Sequence, residues 1–171
     1  MSTRTKSRNF PAPEHNHAAC LAGAHARAFA ALEARGLRMT PIREKVFAEI
    51  AASHAAIGAY EVLDRLAAKG TRLAPISVYR ALDVLVEAGV VHKLESQNAF
   101  FACHSPDEHS GPLARGAQLF LTCDTCGTVA EVAARPTEEA ILAAAIAHRF
   151  TITRSVIEVR GTCAHCVTTR R

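Results

Sequence analysis

The sequence predicts an α+β chain in two parts: helices closed by a β-hairpin, which make a winged helix, followed by a smaller α/β domain. Three observations carry that expectation. Four apolar-striped segments with helix start and stop signals precede two short apolar runs. Between His104 and Arg115 the composition changes to Ser, Pro, Asp, Gly and His. Beyond that break, two Cys-x-x-Cys pairs bracket segments patterned as strands and a helix. The expected divisions are a flexible tail over 1–16, the winged-helix domain over 17–103, a hinge over 104–116 and the second domain over 117–171.

Composition bounds the class. The chain has 171 residues, enough for one large or two small domains, and its 49% hydrophobic content with 21% charged residues excludes a highly charged disordered protein. A formal charge of +4 is mildly basic and permits nucleic acid as a partner. The N-terminus lacks the layout of a signal peptide, and no run approaches the roughly 18 apolar residues of a membrane span. A cytoplasmic protein with no membrane partner is therefore expected. In that reducing compartment six cysteines, four of them in two close pairs, point to metal ligands rather than disulfides.

In chain order, Leu21, Ala24, Ala28 and Leu32 form the stripe of a first helix that Gly36 ends. His15, His17, Cys20 and His25 near its start suggest a metal cluster, but their spacing matches no ligand set, and a solvated tail entering a helix explains them as well. Thr40 and Pro41 begin a second helix as N-cap and first helical residue, with Ile42, Val46 and Ile50 as its stripe and Phe47 alongside. Gly58 precedes a third helix over Ala59 to Lys69, in which Val62, Leu63 and Leu66 face inward. A fourth is expected from Pro75 and Ser77 to Gly89, with Val78, Leu82, Leu85 and Val86 packing and Tyr79 and Arg80 in the first turn. First-turn side chains of the last helix in a helix-turn-helix usually reach base edges in a major groove, and Arg is the commonest reader of guanine. This segment is the expected recognition helix.

Val90 to Glu95 and Ala99 to Cys103, joined by Ser96, Gln97 and Asn98, form the expected hairpin. In the second half, strands are expected over Gln118 to Thr122, Thr128 to Val132 and Thr151 to Arg160. A helix opens at Pro136 and Thr137, with Ile141, Leu142, Ala145 and Ile146 as its stripe, and Cys163 to Cys166 ends the ordered part.

The two pairs, Cys123/Cys126 and Cys163/Cys166, give the strongest chemical signal. Each lets two thiolates converge from one turn, and the intervening segments can return the second pair beside the first as a tetrahedral four-sulfur zinc site. Four thiolates leave no open position, so the metal is structural. A redox pair or iron–sulfur cluster is the weaker reading. A second set, His92, Cys103, His109 and Glu131, comes from both halves of the chain and suits a weaker, exchangeable Zn²⁺. His104 competes as a ligand. Cys103 equally suits a buried strand position, and His109 a solvated loop.

These residues together resemble the ferric uptake regulator family, and within it the zinc-sensing branch. The resemblance runs from Leu37-Arg38-Met39-Thr40-Pro41-Ile42-Arg43 through Ser77-Val78-Tyr79-Arg80-Ala81-Leu82 and Val91-His92-Lys93-Leu94-Glu95 to both cysteine pairs. It implies an N-terminal DNA-binding domain, a C-terminal dimerisation domain with structural zinc at Cys123, Cys126, Cys163 and Cys166, and regulatory zinc at His92, Cys103, His109 and Glu131. About two zinc ions per chain follow. It further implies a homodimer that represses transcription from a palindromic operator in double-stranded DNA, with Tyr60 and Arg80 matching DNA-contacting positions.

Tyr79 joins Tyr60 and Arg80 as an expected base reader, and Arg38, Arg43 and Lys93 are expected at phosphates. Iron-sensing members typically carry a His-His-Asp-His type cluster near the hinge, whereas this chain has Cys103-His104-Ser105-Pro106-Asp107-Glu108-His109. The thiolate favours Zn²⁺ over Fe²⁺ or Mn²⁺. An iron-, manganese- or peroxide-responsive regulator on the same scaffold is the alternative. A zinc hydrolase or deaminase is disfavoured, since His-Glu-x-x-His and the deaminase pattern are missing, and no small-molecule substrate is expected.

Overall fold

The computed structural model describes residues 10, 17–102, 118–133 and 135–169. They divide into two compact units, one within 17–102 and the other within 118–169.

The first unit contains helices α1 (His17–Glu33), α2 (Pro41–Ala51), α3 (Ala59–Ala68) and α4 (Pro75–Glu87), with strands β1 (Ile57–Gly58), β2 (Val91–Leu94) and β3 (Ala99–Ala102). Ala24, Ala28 and Leu32 recur at four-residue spacing on α1 and are all buried. Thr40 caps α2 as expected, its hydroxyl accepting from the Arg43 N–H at 3.4 Å, with Pro41 at the first turn. Val46, Phe47 and Ile50 are buried on α2, whereas Ile42 stays 39% exposed, so the stripe begins one turn later than its periodicity suggests.

Helix α4 begins at Pro75 with Ala74 as N-cap and no side-chain cap bond, so Ser77 is a first-turn residue rather than the start signal. The fixed φ of Pro75 sets the entry instead. Val78, Ala81, Leu82 and Leu85 form its buried stripe. Its end is a Schellman motif: the Val90 N–H donates to the Leu85 carbonyl at 3.1 Å and the Gly89 N–H to Val86 at 3.0 Å, with Gly89 at φ 72°. That left-handed residue turns the chain from α4 into the hairpin.

Strands β2 and β3 pair antiparallel with Val91 opposite Ala102 and Leu94 opposite Ala99, as the expected wing. Strand β1, which the sequence pattern does not reveal, adds to the outer side of β3. Leu32, Val46, Phe47, Ile50, Val62, Val78, Leu82, Leu85, Val91 and Phe100 join one apolar core. Full burial of each such aliphatic or aromatic side chain contributes roughly 1.5–3 kcal/mol.

The second unit contains β4 (Gln118–Cys123), β5 (Val129–Ala133), α5 (Arg135–Ala147), β6 (Val156–Gly161) and α6 (Ala164–Thr169). Its sheet has the order β5-β4-β6, with β4 antiparallel to β5 and parallel to β6. The third strand starts at Val156 rather than Thr151, and a short helix, α6, continues beyond Cys163 where the sequence suggested an end to order. Helix α5 also ends in a Schellman motif, with Arg149 at φ 52° in the position glycine usually takes. Ile141, Leu142 and Ala145 on α5 are half-buried. Ile146, expected in the same stripe, is 76% exposed.

Candidate metal centre and nucleic-acid interface

Parallel pairing places Cys123, the last residue of β4, opposite Gly161 at the end of β6. The chain leaving β6 therefore arrives beside the turn leaving β4. The Asp124 N–H donates to the Gly161 carbonyl at 2.8 Å, and the Arg160 guanidinium grips the Asp124 carboxylate at 2.7 and 2.8 Å. Within the first turn the Gly127 N–H returns to the Cys123 carbonyl at 2.8 Å, with Gly127 at φ 71°. The second pair spans the start of α6, where the Cys166 N–H donates to the Cys163 carbonyl at 3.0 Å.

The four sulfurs of Cys123, Cys126, Cys163 and Cys166 all lie within 4.8 Å of one another, and all four side chains are free thiols. The Cys126 and Cys163 sulfurs are 3.9 Å apart. A tetrahedral zinc with Zn–S bonds of about 2.3 Å requires sulfurs separated by about 3.8 Å, so the cluster fits that ion with small adjustments. Among the described residues no other group of three or more His, Cys, Asp or Glu side chains converges in this way.

The electrostatics also call for a cation. The Cys163 N–H, 3.3 Å from the Cys123 sulfur, and then the Cys126 N–H draw the Cys123 thiol from 9.0 down to about 6. Cys166 is pushed up to about 12, first by burial, then by hydrogen bonds with its neighbouring thiols and by the Cys123 charge. The scaffold thus stabilises one thiolate and opposes further ionisation beside it. A divalent cation among the sulfurs reverses that balance, because a coordinated thiol is deprotonated. The four ligands close the shell, and no site for an activated water remains.

The other sequence-predicted ligands are placed differently. His92 is buried on β2, its ring 5.4 Å from that of Phe101, and Glu131 is half-buried on β5 opposite Phe120. Cys103, His104 and His109 lie outside the described residues, as do His15 and most of the expected tail; His17 and Cys20 fall in α1.

Of the expected DNA-reading residues, Tyr60 lies in the first turn of α3, while Tyr79 and Arg80 lie in the second turn of α4 rather than the expected first, because the helix starts at Pro75. Arg80 is exposed and makes no hydrogen bond or ion pair with any described residue. Tyr79 is half-buried, and the Tyr60 ring, 67% exposed in the first turn of α3, meets it edge-on at 6.5 Å and 81°. The expected phosphate-contacting residues are in three conditions. Arg38 is exposed, Arg43 donates through Nη1 to the Arg38 carbonyl at 2.6 Å, and Lys93 is paired with Glu95 at 2.7 Å. Sequence reasoning overlooked Lys45, which donates to the Thr71 hydroxyl at 3.0 Å, and the exposed Arg72 next to it. Nothing in their local pattern marks them; the fold brings Lys45 to the loop before α4.

A helical domain with a hairpin wing, joined in one chain to a four-thiolate centre, defines a metal-binding winged-helix regulator rather than an enzyme. The chain belongs to the ferric uptake regulator family, whose model matches residues 34–160. It is 39% identical over 133 residues to the zinc uptake regulation protein of Escherichia coli (strain K12), covering 78% of this chain and 75% of that one. A solved structure of a zinc uptake regulator complexed with zinc and DNA matches with a TM-score of 0.75 and 34% identity, over 92% of this chain and 99% of the other. Holo XcZur matches with a TM-score of 0.74 and 40% identity, over 86% and 99% respectively.

Proposed function

We propose that this protein is a zinc-responsive, DNA-binding transcriptional repressor of zinc-uptake genes that works in the cytoplasm as a homodimer. The observation that carries the reading is the presence in one chain of a closed four-thiolate centre and an exposed Arg80 on α4, in its second turn rather than the first turn expected from the sequence, with no partner among the described residues. Likeness to a regulator solved with both zinc and DNA supports it. The centre formed by Cys123, Cys126, Cys163 and Cys166 is structural. The regulatory ligands are His92, Cys103, His109 and Glu131, a donor set whose thiolate and imidazoles favour Zn²⁺. That gives about two zinc ions per chain.

The domains are those read from the sequence: winged helix over 17–103, hinge over 104–116 and dimerisation domain over 117–171. Ile146, Phe150 and Val159 of the second domain are exposed apolar side chains, suited to a second copy of the chain. Regulatory zinc narrows the arrangements the two winged helices sample, so the arrangement matching a palindromic operator becomes more populated. Arg80, with Tyr79 and Tyr60, then enters the major groove, while Arg38, Arg43 and Lys93 contact phosphates.

A gel shift on an inverted-repeat operator at several buffered free zinc levels tests the reading. Binding is expected to rise with zinc; restoration of a metal-stripped chain by Fe²⁺ or Mn²⁺ but not Zn²⁺ overturns zinc sensing. Cys103→Ser should abolish the zinc response while elemental analysis still finds one structural zinc per chain. A retained response would remove Cys103 from the regulatory set. Arg80→Ala should weaken operator binding by about 1–3 kcal/mol. An unchanged ratio of operator to random-sequence affinity would show that Arg80 reads no base.

A further inference from the structure

Helix α4 leaves one large apolar side chain outside: Ile76 is 58% exposed, while Val78, Ala81, Leu82 and Leu85 are buried in the core. A β-branched residue in contact with water at this position contributes little to helix propensity or to packing. Its neighbours explain the placement better. Arg80 lies four residues on and Tyr79 three residues on, the spacings that make side chains adjacent on a helix surface. Arg72 and Arg80, on either side of Ile76 in the chain, are both exposed and make no hydrogen bond or ion pair with any described residue. An exposed apolar side chain one helical turn from a free guanidinium group suits a polyanion with an apolar feature. Duplex DNA has one in its major groove, the 5-methyl group of thymine, which separates thymine from cytosine by apolar contact.

We propose that Ile76 reads a thymine methyl group close to the guanine taken by Arg80, an inference that rests on the DNA-reading role given above for α4. Four residues of helix advance about 6 Å. At about 3.4 Å per base pair the thymine lies roughly one or two pairs from that guanine. Arg80 then supplies the hydrogen-bonded part of the recognition and Ile76 the apolar part. Neither can substitute for the other.

The test uses the full, zinc-loaded chain. A preferred site is selected from a random duplex library, and the guanine whose preference Arg80→Ala loses is identified. Each nearby thymine is then replaced by deoxyuridine, which removes only the methyl group. The wild-type chain should bind the deoxyuridine duplex about fourfold more weakly per half-site, as expected for one buried methyl. Ile76→Ala should bind both duplexes equally, and Ile76→Val should keep part of the difference. Its thermal unfolding should match wild type because the side chain is exposed. Two results overturn the inference: no thymine selected within about two base pairs of the guanine, or an Ile76→Ala variant with the full deoxyuridine penalty. If the chain selects no sequence at all, the DNA-reading role itself falls, and the inference with it.

Discussion

Residues 17–102 hold together by apolar packing, whereas residues 118–169 depend on sulfur. The first unit gathers Phe47, Ile50, Leu82, Leu85 and Val91 into one continuous core. The buried residues of the second are few: Phe120 and Val129 with Thr122, Glu138 and two of the four cysteines. A sheet of three short strands cannot exclude much water, so it is stabilised by convergence of its chain ends on one centre. The position proposed for DNA reading lies on the well-packed unit. Precise presentation of Arg80 needs a rigid helix behind it.

The sharpest test of this contrast is Cys163→Ser. Loss of one ligand should release the structural zinc, and structural zinc contributes roughly 10–16 kcal/mol in small metal-folded peptides. Amide hydrogen exchange should then collapse across residues 118–169 and persist in α2, α3 and α4. Uniform loss of protection in both units would break the comparison. Leu82→Ala probes the other side, since the side chain is fully buried on α4. It should cost about 2–5 kcal/mol in denaturant unfolding of the first unit. Zinc content should remain at one structural ion, and zinc loss would show that the two units are not independent. The smallest effect is expected for Arg160→Ala. Its pair with Asp124 joins the two sides of the metal centre, but both side chains are largely exposed, so urea unfolding should shift by no more than about 1 kcal/mol. A larger loss would give the second unit a source of stability besides its sulfurs.

The same contrast governs what the sequence makes legible. Helices α1 to α4 are readable because each carries a buried stripe at helical spacing and three end at a left-handed glycine. The two cysteine pairs are readable because ligand spacing within a turn is a local property. Strand β1 is missed because two residues carry no period. Of the two start signals read for α4, Pro75 sets the entry as expected, whereas Ser77, whose hydroxyl suggests a cap, lies inside the first turn. Ile146 fits its stripe and yet is exposed: periodicity reveals an apolar face but not whether its own unit buries it. The ligands proposed for regulatory zinc, His92, Cys103, His109 and Glu131, are suggested by residue type rather than by a ligand spacing within one turn.

The edge-on contact between Tyr60 and Tyr79 has an optical consequence. The chain has two tyrosines and no tryptophan, so both of its strong intrinsic fluorophores stand near the starts of α3 and α4. Ultraviolet emission from the unlabelled protein therefore reports chiefly on the face proposed for DNA reading. A titration with operator DNA can be followed through that signal, and filling of the four-thiolate centre is read there only if it reaches α3 and α4.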